Sequence, residues 1–335
     1  MRHRNIESAI VMALLLTVAS AGAFGSGDDR GTSGFKGLQM LSAMETRALG
    51  GAVVSMPEPM IAFDANPAAA AFATKRTARL SMTSYIADIM PARGVVFLPS
   101  GKNVWSVAVS ALSYGDFDRV SETAVDAGTF SASDFVMHVG WARTFAWGLS
   151  GGVSIGYIRS EIADWTASAA VFNLGATWRS PDGHTSVGVS AMNLGSALSA
   201  YDGDDDGIKD TVPTTLHFGA MHRPEHFPLP LTIMAGIQAP RDDDMDLSVG
   251  AELCPVDMLV LRVGYRSLVR YRSITNDDGE KETKLTLDDR DSGGFGDFGF
   301  NGGVGIRWRS YSMDYSWSLA GPFGSIHGVS IGMGW

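Results

Sequence analysis

The chain of 335 residues contains one cysteine, Cys254, which excludes an intrachain disulfide framework. Charge is sparse, at 19% of residues, yet mean hydropathy is only +0.06. That value is too low for a bundle of transmembrane helices, and a hydrophobic content of 45% is too high for a disordered chain. The one long apolar run, Ala9 to Ala19, is too short to cross a bilayer as a helix. No Gly-X-Y period accompanies the 40 glycines, so collagen is excluded as well. Acidic residues outnumber basic ones, 36 to 26, a balance that suits a nucleic-acid binder poorly. What is abundant is glycine, at about 12% of the chain against a usual ~7%. An all-β or large α/β chain that dispenses with side chains at many positions remains.

The N-terminus is informative. Arg2 and Arg4 precede the run Ala9 to Ala19, and Ala21-Gly22-Ala23 follows it. Basic, apolar and then small residues in that order read as a cleaved signal peptide over 1–23, so the mature chain is exported.

From about residue 78 onward the apolar residues recur with period two. Trp147, Leu149, Val153, Ile155 and Tyr157 share one face, with Gly148, Ser150, Gly152, Ser154 and Gly156 on the other. Phe298, Phe300, Val304, Ile306 and Trp308 oppose Asn301, Gly303, Gly305, Arg307 and Arg309, and Tyr311, Met313, Tyr315, Trp317 and Leu319 oppose Ser312, Asp314, Ser316 and Ser318. Strands are predicted at 78–88, 93–98, 103–114, 131–144, 147–160, 164–179, 184–194, 214–223, 230–238, 246–254, 257–268, 298–309, 311–320 and 326–335. Every second connection is short, as at Phe145-Ala146, Pro255-Val256 and Ser310, whereas 115–130, 195–213 and 269–297 are long and rich in Asp, Gly and Ser. A soluble sandwich has no reason to sort its loops by parity. An outer-membrane barrel does, and it places aromatics such as Trp105, Trp147 and Tyr157 near strand ends, at the bilayer interfaces. The fold expected is all-β: a transmembrane antiparallel β-barrel of about 14 strands over 78–335, in the outer membrane of a Gram-negative-type bacterium and in contact with its lipid.

Residues 24–77 break this rhythm. They read as a glycine-rich segment and one short alanine-rich helix, with Asn66 as its cap and Pro67 at its first position. The segment is too small to be a domain and suits a hatch inside the barrel, with Asn66, Pro67 and Ala68 as its marker. Gly31-Thr32-Ser33-Gly34, Arg47-Ala48-Leu49-Gly50-Gly51-Ala52 and Asn66-Pro67-Ala68 together resemble the N-terminus of the PorV/PorQ family, whose barrels are similar to the FadL long-chain fatty-acid transporters. Gly128 to Asp134, Tyr157 to Asp164, Asn193-Leu194-Gly195 and Leu261 to Arg266 extend the resemblance over nearly the whole mature chain. It implies a fourteen-stranded barrel with an N-terminal hatch. It also implies a non-enzymatic accessory of type IX secretion that contacts the translocon and exported proteins, or alternatively a FadL-like transporter of hydrophobic small molecules such as fatty acids. The chain departs from the family at Ala69 to Ala71, where Gly and a large aliphatic residue are usual, and in the charged loop 269–297.

Four motifs invite chemistry. Asp202, Asp204, Asp206, Ile208 (through its carbonyl) and Asp210, with Gly207 at the turn, match the ligand spacing of a Ca2+ loop, although Pro213 replaces the bidentate Glu of position 12; the plain alternative is a solvated acidic loop. His222-Arg223-Pro224-Glu225-His226 has the H-x-x-E-H spacing of inverted zinc peptidases, but Pro224 forbids the helix that motif needs. Ser154 and Ser330 each sit in G-x-S-x-G at mid-strand, not at a nucleophile elbow, so no catalytic residue is assigned. Finally, alternation points Glu252, Arg262, Arg266, Arg307, Arg309 and Asp314 inward, because an Arg facing lipid at the midplane costs ~2–4 kcal/mol. These six form either a ladder of ion pairs that holds the hatch or a polar constriction on a substrate path.

Overall fold

A computed structural model describes residues 31–40, 43–120, 126–201, 210–275, 281–288, 299–319 and 324–335. The signal peptide expected over 1–23, and Asp202, Asp204, Asp206 and Ile208 of the calcium motif, lie outside the described residues.

Among the described residues fifteen strands follow one another: β1 (Thr77–Ser84), β2 (Met90–Ser100), β3 (Asn103–Val120), β4 (Asp126–Thr144), β5 (Leu149–Ile162), β6 (Trp165–Arg179), β7 (Thr185–Ser199), β8 (Thr215–His222), β9 (Leu231–Pro240), β10 (Met245–Val256), β11 (Leu259–Thr275), β12 (Lys281–Asp288), β13 (Gly299–Trp308), β14 (Tyr311–Leu319) and β15 (Ser325–Gly334). All pairings are antiparallel. β11 pairs with β13 from Leu259 to Arg266, and with β12 only beyond Leu268. β12 is therefore a hairpin extension above the wall, and fourteen strands form the wall itself. Pairing of β1 with β15, from Thr77–Gly334 to Ser84–His327, closes the sheet. Closure leaves no edge, the condition for a sheet to exist in hydrocarbon.

The burial pattern follows the pleat. Along β15 exposed and buried residues alternate without a break from Ser325 to Gly334. Leu80, Ile155, Val263, Ile306 and Ile331 project outward, while Ser106, Ser154, Asn173, Ser248 and Ser330 are buried on the inner side. Exposed aromatics gather toward both rims, with Trp105, Trp147, Trp308, Tyr311 and Trp335 at one and Phe135, Phe172, Phe300 and Trp317 toward the other. Trp308 and Phe300 are separated by about 26 Å of strand at ~3.3 Å per residue. At the ~35–45° tilt of barrel strands that spans about 20 Å along the axis, within the ~25 Å apolar band of such barrels. No described helix is long and apolar enough to cross a membrane.

Several expected boundaries move. β3 and β4 continue pairing to Val120 and Asp126 through register shifts beyond Ser113, so much of the expected loop 115–130 is strand. The β5–β6 connection is a tight turn with Ala163 at φ 52°, an exception to the alternation of loop lengths. Gly148, expected on the inner wall, sits in the β4–β5 turn at φ 75°, where a Cβ would lie 2.1 Å from the carbonyl of Arg179.

Candidate functional site: the filled lumen

Residues 43–73 pack against the inner wall. Two short helices, Met44–Ala48 and Pro59–Ala62, precede a 3-10 helix at Pro67–Phe72. Pro59 and Pro67 occupy first-turn positions, and the Asn66 side chain accepts from the Ala68 amide at 2.9 Å, as the cap-and-proline pattern predicts. Asn66 does more than cap. Its amide nitrogen donates to the carbonyl of Val54 (2.7 Å) and toward Thr177 Oγ1 (3.0 Å) and the carbonyl of Ala176 (3.2 Å) on β6. Asn66 is thus a rivet between two parts of this segment and the wall.

Inner-face glycines make room for this segment. A Cβ on Gly264 would lie 2.2 Å from the Gly50 nitrogen, on Gly250 2.7 Å from the Leu49 carbonyl, on Gly188 2.2 Å from the Val54 carbonyl and on Gly152 2.4 Å from Pro67. Gly219 and Gly236 face Val54 and Ala52, and Gly303 and Gly328 face Ala48 and Met44. At Gly152, Gly188, Gly236, Gly250 and Gly264 the wall thus approaches the backbone of the segment itself, while Gly219, Gly303 and Gly328 make room for its side chains. The middle of this contact is apolar: Leu49, Ala52, Val53, Val54, Met56, Ile61 and Ala62 with Met221 and Met234 of the wall.

Toward the rim formed by the short turns the filling is ionic. Asp314 (β14) accepts from Arg79 Nη2 (2.8 Å), Arg262 Nη1 (2.7 Å) and Arg307 Nη2 (2.8 Å). Arg262 also pairs with Glu252 at 2.9 Å, and Arg79 with Glu45 of the inner segment at 2.9 Å. Ser330 donates to the same Glu45. Three guanidiniums and three carboxylates are therefore joined by ion pairs across β1, β10, β11, β13, β14 and the Met44–Ala48 helix, with a fourth carboxylate, Glu58, close enough to interact with Arg79 and Arg307. Arg266 pairs separately with Asp246. Arg93 pairs with Asp64, whose other oxygen accepts from the Ala43 amide at 3.0 Å. Burial raises the Asp64 carboxyl above its ordinary range, with Arg93 pulling the other way.

Of the six residues predicted to line the lumen, five lie inside, and Arg309 does not. It occupies the β13–β14 turn at φ 55°, with its guanidinium 5.0 Å from the centre of the Trp308 ring. Period-two counting ends where the backbone leaves the extended region. Glu45, Arg79 and Asp246 escape the prediction. The alternation of β1, with Leu80 and Met82 outward, was sufficient to find Arg79; nothing local marks Glu45. Asp210 packs against Gly34, and among the described residues no group of three His, Cys, Asp or Glu side chains is placed to hold a metal. His222 ends β8 and Arg223 to His226 belong to the connection that follows, and Ser154 and Ser330 face the lumen, bonded to Asn173 and Glu45.

Toward the opposite rim the inner face is aliphatic. Leu112 (β3), Val136 (β4), Ile158 (β5), Ala167, Ala169 and Val171 (β6) and Ala197 (β7) are buried together with Val212. Phe35 of the N-terminal segment, at φ 52°, inserts among them, with Leu38 and Met40 beside it. Two polar pairs border this cluster: Tyr114 Oη donates to Asp134 Oδ2 at 2.8 Å, and Tyr201 Oη to Ser160 Oγ at 2.6 Å.

No protein-family model and no curated protein matches the sequence. Solved structures do match in fold. A TodX monoaromatic hydrocarbon channel carrying the deltaS2S3 mutation is 12% identical, with 82% of this chain and 94% of that chain covered and a TM-score of 0.57. The Pseudomonas putida toluene transporter TodX is 11% identical (88% and 98% covered, TM-score 0.54), and a Pseudomonas aeruginosa FadL homologue is 13% identical (88% and 98% covered, TM-score 0.55). At such identities the likeness is one of fold. Closure over fourteen strands, the aromatic rims and these neighbours together give the chain the fold of the FadL-like outer-membrane β-barrels.

Proposed function

We propose that this barrel is a conduit for hydrophobic small molecules, with residues 31–73 as the plug of its lumen. The observation that carries this reading is the aliphatic inner face of β3 to β7, where Leu112, Val136, Ile158 and Val171 are buried around Phe35. A water-filled pore has a polar interior, and inward aliphatic side chains serve an apolar passenger instead. The named functions of the similar structures, a monoaromatic hydrocarbon channel and a toluene transporter, favour transport over the type IX accessory role implied by the PorV/PorQ motifs. The ion-pair cluster, on this reading, holds the plug, since Glu45 of the segment is tied to Arg79 and through it to Asp314. The proposal assigns no enzymatic step to any residue.

The test compares uptake of a radiolabelled alkylbenzene, at limiting concentration, by cells with and without the gene. Faster uptake with the intact chain, and slower uptake with Leu112→Asp at equal barrel abundance, is expected. Equal uptake in all three strains, with the chain recovered in a stable complex with secretion components, would replace transport by the accessory role.

A further inference from the structure

Three polar side chains on the outside of the wall are linked by hydrogen bonds where β14 ends and β15 begins. Ser325 and His327 are two residues apart on β15 and share its outer face, while Ile326 between them is buried against Met44 and Tyr85. Ser325 Oγ lies 2.8 Å from His327 Nε2, and His327 Nδ1 lies 2.7 Å from Tyr315 Oη on β14. His327 is paired across the strands with Trp317 and reaches Tyr315 on the diagonal, the two rings 6.0 Å apart and 20° from parallel. This end of β14 and β15 belongs to the rim of the long loops, which faces outward in such barrels. Ser325 pairs with Leu319, eight positions along β14 from Tyr311 at the other rim. That is about 26 Å of strand at ~3.3 Å per residue, or about 20 Å along the axis of a tilted strand. The trio therefore stands near the outer margin of the apolar band, where acyl chains of outer-leaflet lipids are joined by ester bonds to their polar parts.

The geometry points to a second activity on this face: hydrolysis of the long-chain carboxylic esters of membrane lipids, with Ser325 as nucleophile, His327 as general base and Tyr315 as the residue that positions the base. A nucleophile, a base within hydrogen-bond reach of it and a third group that orients the base recur in acyl-transfer sites on unrelated folds. With its proton on Nδ1, His327 donates to Tyr315 Oη and accepts from Ser325 Oγ. Ser325 Oγ attacks the ester carbonyl carbon as its proton passes to Nε2; the bond from that carbon to the lipid's alcohol oxygen then breaks, and the alcohol leaves with the proton. Water attacks the acyl-serine, returns one proton through Nε2 to Ser325 Oγ, and releases the fatty acid. Anchoring at the interface needs only the rings of Tyr315 and Trp317 and gives no reason for a histidine held between two hydroxyls. The approach is open: Ser325 and His327 are exposed, and a Cβ on Gly324, at φ 96°, would meet no atom within 4 Å. Because the orienting group is a neutral phenol, slow turnover is expected. The trio lies outside the wall, so this activity is independent of the conduit and its plug.

The experiment uses the full chain, purified as a closed barrel in detergent. A fluorophosphonate with a long alkyl tail is expected to label Ser325, located by mass spectrometry, and mixed micelles of phosphatidylethanolamine or of lipid A are expected to release free fatty acid. Release from the first identifies glycerol esters as the substrate, and release from the second identifies acyl esters on sugar. Ser325→Ala and His327→Ala should each abolish labelling and lower release at least ~100-fold, the scale of general-base catalysis. Tyr315→Phe keeps the ring and removes the hydroxyl; it should lower kcat about tenfold with KM unchanged, the scale of one hydrogen bond, whereas a merely structural tyrosine would leave kcat alone. Absence of label on Ser325, label without release of fatty acid from either lipid, or hydrolysis that survives Ser325→Ala overturns the inference. Labelling of the intact chain requires no variant, so that readout decides even where a variant fails to assemble. Alkylbenzene uptake should be the same in Ser325→Ala as in the wild type, which separates the fate of this activity from that of transport.

Discussion

Replacing Asp314 by Asn tests whether the ionic half of the lumen is an anchor. The substitution keeps the shape of the side chain but removes the charge on which Arg79, Arg262 and Arg307 converge at 2.7–2.8 Å. Arg79 retains Glu45 and Arg262 retains Glu252, so neither becomes a lone buried ion. Arg307 forms no second ion pair among the described residues, but Glu58 lies close enough to interact with it, and its side chain is 30% exposed, so water can reach it. Removing one partner of a buried pair costs ~3–5 kcal/mol when the other ion is stranded. Since two of the three arginines keep a partner and the third is part-exposed, the low end applies, about 3 kcal/mol. Urea unfolding of the refolded barrel in lipid, read by the midpoint at constant slope, measures it. Asp314→Asn with Arg307→Gln should recover about 1 kcal/mol, because the surplus positive charge is gone. Arg309→Gln, in the turn, should shift stability by less than ~0.5 kcal/mol. If Asp314→Asn lay within ~0.5 kcal/mol of the wild type, the cluster would not be an anchor, and the reasoning from buried pairing would be refuted.

Gly264→Val would drive a side chain into the Leu49–Gly50 backbone, where a Cβ already lies within 2.2–2.3 Å; the expected result is a closed barrel whose plug is cut readily by added protease, with raised conductance in planar bilayers. Asn66→Ala removes the cap and three donated contacts and should cost ~2–3 kcal/mol; an unfolding midpoint unchanged from the wild type would contradict its role as a rivet. Arg93→Gln removes the charge that opposes the burial of Asp64. A carboxyl whose folded value is raised favours the folded state below its unfolded value, near pH 4, and that contribution is lost as pH rises through the folded value. The variant should therefore lose more stability than the wild type between about pH 4 and neutrality, as read by unfolding midpoints across that range.

The wall was legible because alternation is a local rule. A strand of fixed pleat assigns each side chain to a face by counting, and counting placed Arg262, Arg307 and Asp314 correctly on the inside. The same rule failed at Gly148 and Arg309, whose φ values of 75° and 55° belong to turns where the count no longer applies. It also shortened β3 and β4, since Asp116 and Asp118 interrupt the apolar pattern although pairing with Ser131 and Thr129 continues. The candidate site was legible only in part. Asn66, Pro67 and Ala68 stood out by cap chemistry, while Glu45 and the cluster around Phe35 carried no local sign. Their meaning depends on strands far away in sequence, with Glu45 meeting Ser330 across 285 residues.

By itself the sequence determined an acidic, glycine-rich chain of alternating strands, because hydrocarbon outside and an enclosed interior impose period two on every segment that crosses. Only the tertiary structure decided what fills the interior: that glycines from many strands form one seat for residues 43–73, that three arginines converge on Asp314, and that Phe35 enters an aliphatic cluster bordered by the Tyr114–Asp134 pair. Barrel closure is what brings those groups together. The physical reason is that a pleat fixes direction residue by residue, whereas a shared lumen is a property of all fourteen strands at once.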